Sequence, residues 1–174
     1  MASIVISGDT SGTVTLQAPA VAGSTTLTLP STTGTVSTIA GTETLTNKTL
    51  TSPVINTATL NTPTVTNYIE SVVAIGTVTT ASTISLTSGT VQTATLTAST
   101  ACTFTMPTAT AGKSFILLLK QAAATGNGTA TFTSVKWGSS GAPTITATAG
   151  KMDILSFISD GTNWYGSAIQ GYTP

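Results

Sequence analysis

The chain has 174 residues, a formal net charge of zero, no arginine or histidine, and only 6% charged residues. It therefore has no basic stripe that would neutralise phosphates, and no run approaches the roughly 18 apolar residues of a membrane span, so we expect neither nucleic acid nor membrane as a partner. About a quarter of the residues are threonine, which is β-branched and favours strands. This composition predicts an all-β protein.

Residues 1–39 are predicted to form short strands that need a partner. Ser3–Ile6 reads as a strand, and Thr13–Leu16 and Thr25–Leu29 alternate polar and apolar residues as half-buried strands do. A segment of fewer than ~40 residues seldom builds its own core without metals or disulfides. This segment has neither a set of metal ligands nor a pair of cysteines. We therefore interpret residues 1–39 as anchor hairpins that dock onto another protein.

Residues 40–70 carry an apolar residue at every fifth position. The row consists of Leu45, Leu50, Ile55, Leu60 and Val65. Pro53 and Pro63 argue against a helix, and in a flat strand steps of five residues would alternate between the two faces. We expect an extended, threonine-rich linker or shaft that changes direction at each Asn or Pro. A single copy would expose the apolar row, whereas three copies wound together would bury it, so we predict a homotrimer.

Residues 71–174 have the pattern of a compact β domain. Short strands separated by turns such as Asp160-Gly161 favour a jelly-roll-like β-sandwich head. The candidate strands are Val72–Val78, Thr83–Leu86, Gln92–Thr97, Ala101–Thr105, Phe115–Lys120, Thr129–Thr133, Pro143–Thr146, Met152–Ser159 and Trp164–Ile169. The run Phe115–Leu119 is apolar throughout, so it is either a strand buried on both faces or a strand in a subunit interface.

Two internal echoes suggest repeated turns. Thr10–Val14 recurs as Thr87–Val91, which predicts similar hairpins after both copies unless the likeness is convergence in a low-complexity chain. Thr108–Lys113 recurs as Thr146–Lys151, and each copy runs into an apolar stretch. We interpret the second echo as one type of turn used before two different strands.

Catalytic and metal-binding patterns are missing from the sequence. Without histidine, the common serine and cysteine triads have no base, and Cys102, the one cysteine, is expected to be a small buried residue. No histidine, second cysteine or Asp-rich loop is available to bind a metal. The closest acidic pair, Asp153 and Asp160, is separated by an apolar run, and Asp160 is best explained by the turn that it begins. We predict a non-enzymatic protein with no catalytic residues, no metal and no cofactor.

The aromatic residues offer one candidate for ligand contact. Trp137 lies in a glycine-rich stretch, where a flat ring could pack on a sugar of a host surface glycan. Core packing is the other interpretation of Trp137. We expect Trp164 and Tyr165 to re-enter the sheet after the Asp160-Gly161 turn and to pack in the core.

Three segments resemble parts of one class of proteins. The LTNKTLTSP motif at Leu45–Pro53 resembles a segment of tail-fibre, head-fibre and other virion structural proteins of tailed bacteriophages. Ser11–Pro19 resembles the stretch that often precedes this motif, and Phe157–Tyr165 resembles the closing hairpin of many phage fibre heads. The resemblance implies a non-enzymatic virion protein, usually homotrimeric, with an attachment end, a slender middle and a distal β head.

These observations lead to one expected function and several rivals. We expect a trimeric capsid-decorating fibre or cement-type appendage, made in the host cytoplasm and located in the virion, with residues 1–39 docked onto the major capsid protein or another virion component. The alternative is a receptor-binding short tail fibre that adheres to the host surface. A bacterial adhesin would show a secretion or sorting segment, and a lyase or glycosidase would need converging carboxylates.

Overall fold

The computed structural model describes residues 3–7, 9–17, 20–21, 31, 45–56 and 58–174. The chain divides into two compact units, Met1–Thr59 and Leu60–Pro174, which we call the N-terminal unit and the C-terminal unit. The division falls inside the predicted shaft, and the three-region organisation stays a prediction. All regular secondary structure in the described ranges is β-strand, so the prediction of an all-β protein is confirmed.

Among its described residues, the N-terminal unit forms an antiparallel hairpin. Its strands are β1 (Ser3–Ser7) and β2 (Thr13–Gln17), and they pair along their full length. Gly12 precedes β2 with a φ of 78°, a conformation that glycine adopts without a steric penalty. The strand predictions near β1 and β2 are therefore confirmed, whereas the predicted strand Thr25–Leu29 lies outside the described residues.

The C-terminal unit contains nine strands in its described residues. They are β3 (Val72–Val78), β4 (Ala81–Thr83), β5 (Val91–Leu96), β6 (Ala101–Thr105), β7 (Ser114–Lys120), β8 (Thr129–Phe132), β9 (Val135–Trp137), β10 (Met152–Ser159) and β11 (Trp164–Tyr172). In β5, β6 and β7 most inward positions are apolar, and inward and outward positions alternate, because successive side chains of a strand point to opposite faces.

The strands form two sheets that the chain visits in turn. The larger sheet has the order β3-β5-β7-β10-β11-β9, and the smaller has the order β4-β6-β8. From β3 to β8 the chain alternates between the sheets, so β3, β5 and β7 pair in parallel in one sheet while β4, β6 and β8 pair in parallel in the other. Successive coils that stack strand on strand in this way indicate a short β-solenoid. The antiparallel strands β10 and β11 then extend the larger sheet.

The prediction of a jelly-roll-like sandwich is therefore corrected. A jelly roll is built from antiparallel strands, whereas five of the seven strand pairings in this unit are parallel. The alternation of polar and apolar residues reveals which face of a strand is buried, but it is the same for parallel and antiparallel partners. Direction is instead decided by whether a connection turns back into its own sheet or crosses to the other sheet.

The core lies between the two sheets and is rich in aromatic rings. Phe104 of the smaller sheet stacks on Phe132 of the next coil, with ring centroids 5.2 Å apart. Phe132 also contacts Phe157 of the larger sheet at 5.3 Å, and Phe157 stacks on Phe115 at 4.7 Å. These rings join both inner faces into one apolar cluster that also contains the buried Trp164.

Two strand predictions in the C-terminal unit are wrong: of Thr83–Leu86 only Thr83 lies in a strand, at the end of β4, and Pro143–Thr146 lies in none. Pro143–Thr146 forms no strand, because this segment is held by side chains instead of a ladder: Gln121 Nε2 donates to the Thr146 carbonyl at 2.8 Å, and Thr146 N donates to Asp153 at 2.7 Å. The strand β9, which pairs in parallel with β11, was not predicted.

The two internal echoes have different outcomes. Both copies of the second echo are turns before a strand, with Gly112 at φ 77° before β7 and Gly150 at φ 70° before β10, which confirms the interpretation. The first echo does not give two hairpins. After Thr87–Val91, the strands β5 and β6 belong to different sheets, whereas the hairpin predicted after Thr10–Val14 lies largely outside the described residues.

Candidate interaction surfaces

The two carboxylates considered for catalysis lie at opposite ends of β10 and have structural partners. Asp160 Oδ1 accepts the backbone N–H groups of Thr162 and Asn163, both at 2.7 Å, and Oδ2 accepts the Tyr165 hydroxyl at 2.9 Å. These hydrogen bonds, that of Asn163 first, lower the pKa of Asp160 to about 2. Asp160 thus stabilises the turn between β10 and β11, as the sequence predicted.

Asp153 connects the loop that contains Thr146 and the end of β11 to β10 through hydrogen bonds. Its side chain is buried and accepts hydrogen bonds from Thr146 N at 2.7 Å, Gly171 N at 2.9 Å and Gln170 Nε2 at 3.2 Å. Burial alone would raise the pKa of this carboxyl, but the hydrogen bonds outweigh burial and lower it below the ordinary 3.8. The ionised form is therefore the one that the fold stabilises.

Acid should weaken the C-terminal unit through Asp153. A carboxyl with a lowered folded-state pKa contributes stability that is present above the unfolded value of 3.8 and is lost as the pH falls through the folded value. We expect the free energy of unfolding, followed by fluorescence of the two tryptophans, to fall as the pH is lowered from 5 toward about 2. Asp153→Asn should be less stable at pH 5 and should lose less on acidification. Asp9→Asn is the control, and a slope for Asp153→Asn equal to that of wild type would contradict this role.

The described residues provide no reactive thiol on the surface, no metal-binding cluster and no membrane-spanning helix. Cys102 is 2% exposed, and burial raises the pKa of its thiol, as expected for a core cysteine. Within the described ranges, no group of three or more acidic, cysteine or histidine side chains is arranged to hold a metal ion. The same residues include no helix that is long and apolar enough to cross a membrane.

Trp137 is partly buried and packs against the core. Its ring packs edge-on against Phe132 and Phe157, with centroids 5.9 Å away in both cases. A Cβ atom at Gly166 would lie 2.6 Å from this ring, so the glycine makes room for the indole on the neighbouring strand. Packing accounts for Trp137 without a ligand, and its predicted glycan contact stays untested. Trp164 is buried, with Nε1 donating to the Pro107 carbonyl at 2.8 Å, as predicted. Tyr165 also re-enters the sheet, but it is 44% exposed because successive side chains of a strand point to opposite faces, so the prediction that it packs in the core is wrong.

The five apolar residues of the predicted shaft are all exposed. Between 54% and 64% of each side chain is accessible, and none belongs to the core cluster. The residues that surround them, 45–56 and 58–71, include no strand. The prediction of an extended segment is thus consistent with the described chain, and the row has no partner within it.

A left-handed residue recurs two positions after an apolar residue of this row. Asn47 has a φ of 53°, Ser52 of 51° and Thr62 of 46°. Positive φ is uncommon outside glycine and is a clear outlier for a β-branched threonine. Such a residue in three of the four steps of five interrupts the period-two alternation of a strand. The predicted changes of direction are confirmed at Asn47 and next to Pro53 and Pro63.

The hairpin of the N-terminal unit also exposes apolar side chains. Ile4 pairs with Leu16 and Ile6 pairs with Val14, so these four residues share one face, and each is at least 47% exposed. An isolated two-stranded hairpin is at best marginally stable in water. This face is therefore an exposed apolar surface on a hairpin that has little stability of its own.

The two sheets of the C-terminal unit present contrasting outer faces. On the smaller sheet, a threonine face is formed by Thr83, Thr103, Thr105, Thr129 and Thr131, all exposed. On the larger sheet, an apolar face is formed by Val72, Ala74, Val91, Ile116, Leu118, Ile154, Ile158, Tyr165 and Ile169. Of these, Ile158 is 56% and Ile169 is 65% exposed.

A groove of about 620 Å³ lies within the apolar face. Its floor includes the small side chains of Ser156 and Ser167, and its sides include Ile116, Ile158 and Tyr165. The cross-strand register places Ser156 next to both Ile116 and Ser167, so serines on two neighbouring strands create the depression. Sequence reasoning offered a subunit interface as one interpretation of the apolar run of β7, but it did not identify the residues of the other strands that form this face.

No family model, no curated protein and no solved structure matches the chain. The interaction surfaces must therefore be interpreted from their own chemistry. The described residues offer three exposed apolar surfaces: the face of the N-terminal hairpin, the row of the shaft, and the apolar face of the C-terminal unit.

Proposed function

We propose that the chain is a non-enzymatic structural protein of a tailed-bacteriophage virion, a homotrimeric capsid-decorating fibre or cement-type appendage. The observation that carries this proposal is the exposed apolar row at every fifth residue from Leu45 to Val65. A row of this kind gains about 25 cal/mol for each Å² of apolar surface that it removes from water. Identical copies offer the matching row at the matching spacing.

The N-terminal hairpin provides the attachment end in this proposal. Its face of Ile4, Ile6, Val14 and Leu16 is available to dock onto the major capsid protein or another virion component. Apolar burial without charge pairing suits a chain with only ten charged side chains, five of each sign. The sequence resemblance to phage fibre and head-fibre proteins supports the same assignment.

Labelled antibodies against the purified protein, viewed by electron microscopy on intact phage particles, test where it is located. Label spread over the capsid is the result that we expect. Label confined to the tail would replace this proposal with the receptor-binding short tail fibre, and the absence of label from particles would contradict a virion role altogether.

A charge placed in the apolar row should dissociate the trimer. In a trimer wound around this row, Leu50→Asp brings three carboxylates together in an apolar environment, where unpaired charges are costly. Light scattering after size-exclusion chromatography should give three times the 17.3 kDa chain mass for the wild type and the monomer mass for Leu50→Asp at micromolar concentration.

Thr49→Asp is the matched control for this experiment. It adds the same charge at an exposed neighbouring position outside the row, so it should leave the trimer intact. A stable wild-type monomer at micromolar concentration would contradict the shaft, and equal effects of the two substitutions would contradict the role of the row.

A further inference from the structure

We propose that the apolar face of the C-terminal unit packs against further copies of the chain, and that the groove between Ile116, Ile158 and Tyr165 receives an apolar side chain of a second copy. This inference rests on the proposed homotrimer and adds a second contact to it. The shaft row explains why copies would associate, but it leaves the apolar face of the larger sheet uncovered.

The contrast between the two outer faces is the first argument. Both sheets belong to the same unit, and the same coils supply β3 to β8 of both. The outer face of the smaller sheet carries threonines, and Thr103 and Thr131 hydrogen bond to each other across two strands at 3.2 Å. A contiguous exposed apolar patch on a soluble protein typically marks an interaction site. The threonine face therefore has the composition of a solvent-facing surface, and the apolar face has the composition of a covered one.

The apolar run of β7 supports the same conclusion. Phe115, Leu117 and Leu119 point into the core, whereas Ile116 is 41% exposed on the outer face and Leu118 is half-buried there. The strand is therefore not buried on both faces within one copy. Of the two interpretations that the sequence left open, a strand at a subunit interface is the one that accounts for Ile116.

The size of the face is close to that of a specific contact. Its apolar residues lie on five strands, which are spaced by about 4.8 Å, and the seven residues of β7 rise about 3.3 Å each, so the face spans roughly 19 Å by 23 Å. This corresponds to about 440 Å² per copy before side-chain relief is added, or about 890 Å² for two copies, against the ~1,000 Å² expected of a biological interface.

A second copy fits the chemistry of this face better than another partner does. The outward residues of its central strands carry no charge between Ser114 and Leu118 or between Ile154 and Ile158, and the charged side chains Glu70, Lys120 and Lys136 lie around this uncharged centre. The face is also continuous with the shaft. Val65 is seven residues from Val72, at most about 25 Å along the chain, so shaft association would bring the apolar faces of different copies close together at a high effective concentration.

The test compares thiol labelling at two exposed positions of the full-length chain. Ser156→Cys places a thiol on the floor of the groove, and Thr105→Cys places one on the threonine face, each in an interior strand of its sheet. Wild type supplies the background, since Cys102 is buried. In the native oligomer, we expect a maleimide to label Ser156→Cys at least tenfold more slowly than Thr105→Cys, and equally fast once both are unfolded in urea.

The outcomes separate this inference from the proposed function. Equal labelling in a chain that light scattering shows to be trimeric would overturn the inference and leave the trimer standing. A monomeric wild type would overturn both. Slow labelling of Ser156→Cys in an oligomer that is absent from virions would support the inference and contradict the virion role.

A charge on the apolar face provides a second measurement that does not depend on cysteine. Ile158→Glu should raise the dissociation constant of the oligomer at least tenfold, whereas Thr105→Glu, on the threonine face, should change it less than twofold. Circular dichroism verifies that both variants are folded. Equal dissociation constants for the two folded variants would overturn the inference, as would protection of Ser156→Cys that depends on added host-cell glycan and not on oligomerisation.

Discussion

Gly126→Ala is expected to lower the free energy of unfolding of the C-terminal unit by about 3 kcal/mol or more. A Cβ atom at this position would lie 1.8 Å from the carbonyl oxygen of Ala147 and 2.7 Å from the backbone nitrogen of Ala149. Both contacts are with backbone, which cannot swing aside as the end of a flexible side chain can.

The clash falls at a junction of two loops that side chains hold together. Next to Gly126, Asn127 N donates to the Ala147 carbonyl at 2.7 Å. The buried Gln121 binds both loops, since its Nε2 donates to the carbonyls of Gly128 at 2.7 Å and Thr146 at 2.8 Å, and its Oε1 accepts from Gly128 N. Separating the loops would leave several of these buried groups unpaired, which adds to the steric cost.

Urea unfolding followed by tryptophan fluorescence, at one protein concentration, measures the effect. Gly138→Ala is the matched control, because nothing lies within 4 Å of its added Cβ and its φ is not in the left-handed region. We expect that variant to stay within about 0.5 kcal/mol of wild type. A loss of less than about 1 kcal/mol for Gly126→Ala would show that the loops can separate at little cost.

Phe104→Ala should destabilise the same unit by about 3–5 kcal/mol. The ring is completely buried, stacks on Phe132 at 5.2 Å and lies on the central strand of the smaller sheet. Truncation removes the apolar contacts of the ring and leaves a cavity between two coils that the backbone ladders prevent from collapsing fully. A loss of this size is a large fraction of the 5–15 kcal/mol that is typical of a whole domain.

Thr105→Ala tests whether the effect comes from the core. Thr105 is the next residue of the same strand but points to solvent, so its truncation should cost no more than about 0.5 kcal/mol. The same urea titration measures both variants. Similar losses for Phe104→Ala and Thr105→Ala would contradict the assignment of the ring to the core.

Strand positions in the C-terminal unit were largely predictable from local patterning. Val72–Val78, Ala101–Thr105 and Met152–Ser159 form strands with the predicted boundaries. Each is rich in β-branched or apolar residues and is bounded by turn residues, so the local signal agrees with the tertiary result. The Asp160-Gly161 turn was predictable for the same reason, since its hydrogen bonds are made within a few residues.

The arrangement of strands was not predictable in this way. The strand β9 has three residues, too few for a visible pattern, and it exists because β11 offers it an edge. In Pro143–Thr146, the alternating residues that suggest a strand instead form a loop, since Gln121 and Asp153 satisfy its backbone groups from distant positions. Contacts of this kind depend on residues far apart in the sequence.

The candidate surfaces also differ in whether the sequence alone reveals them. The shaft row was visible in the sequence, because its spacing of five does not require knowledge of the fold. The apolar face was not visible, since Val72, Ile116, Ile158 and Ile169 come from four strands and become one surface only through cross-strand register. For Trp137, the glycine-rich context suggested a surface, whereas the space left by Gly166 on β11 lets the ring pack, partly buried, against the core.

By itself, the sequence determined that this protein is all-β, where most of its strands and turns lie, and that every fifth residue from Leu45 to Val65 is apolar. These properties depend on residue type and local periodicity. Only the tertiary structure decided that β3 to β8 coil in parallel through two sheets, and that one outer face is threonine and the other apolar. The physical reason is that period-two alternation specifies which side of a strand is buried, whereas strand direction and register depend on long-range pairing.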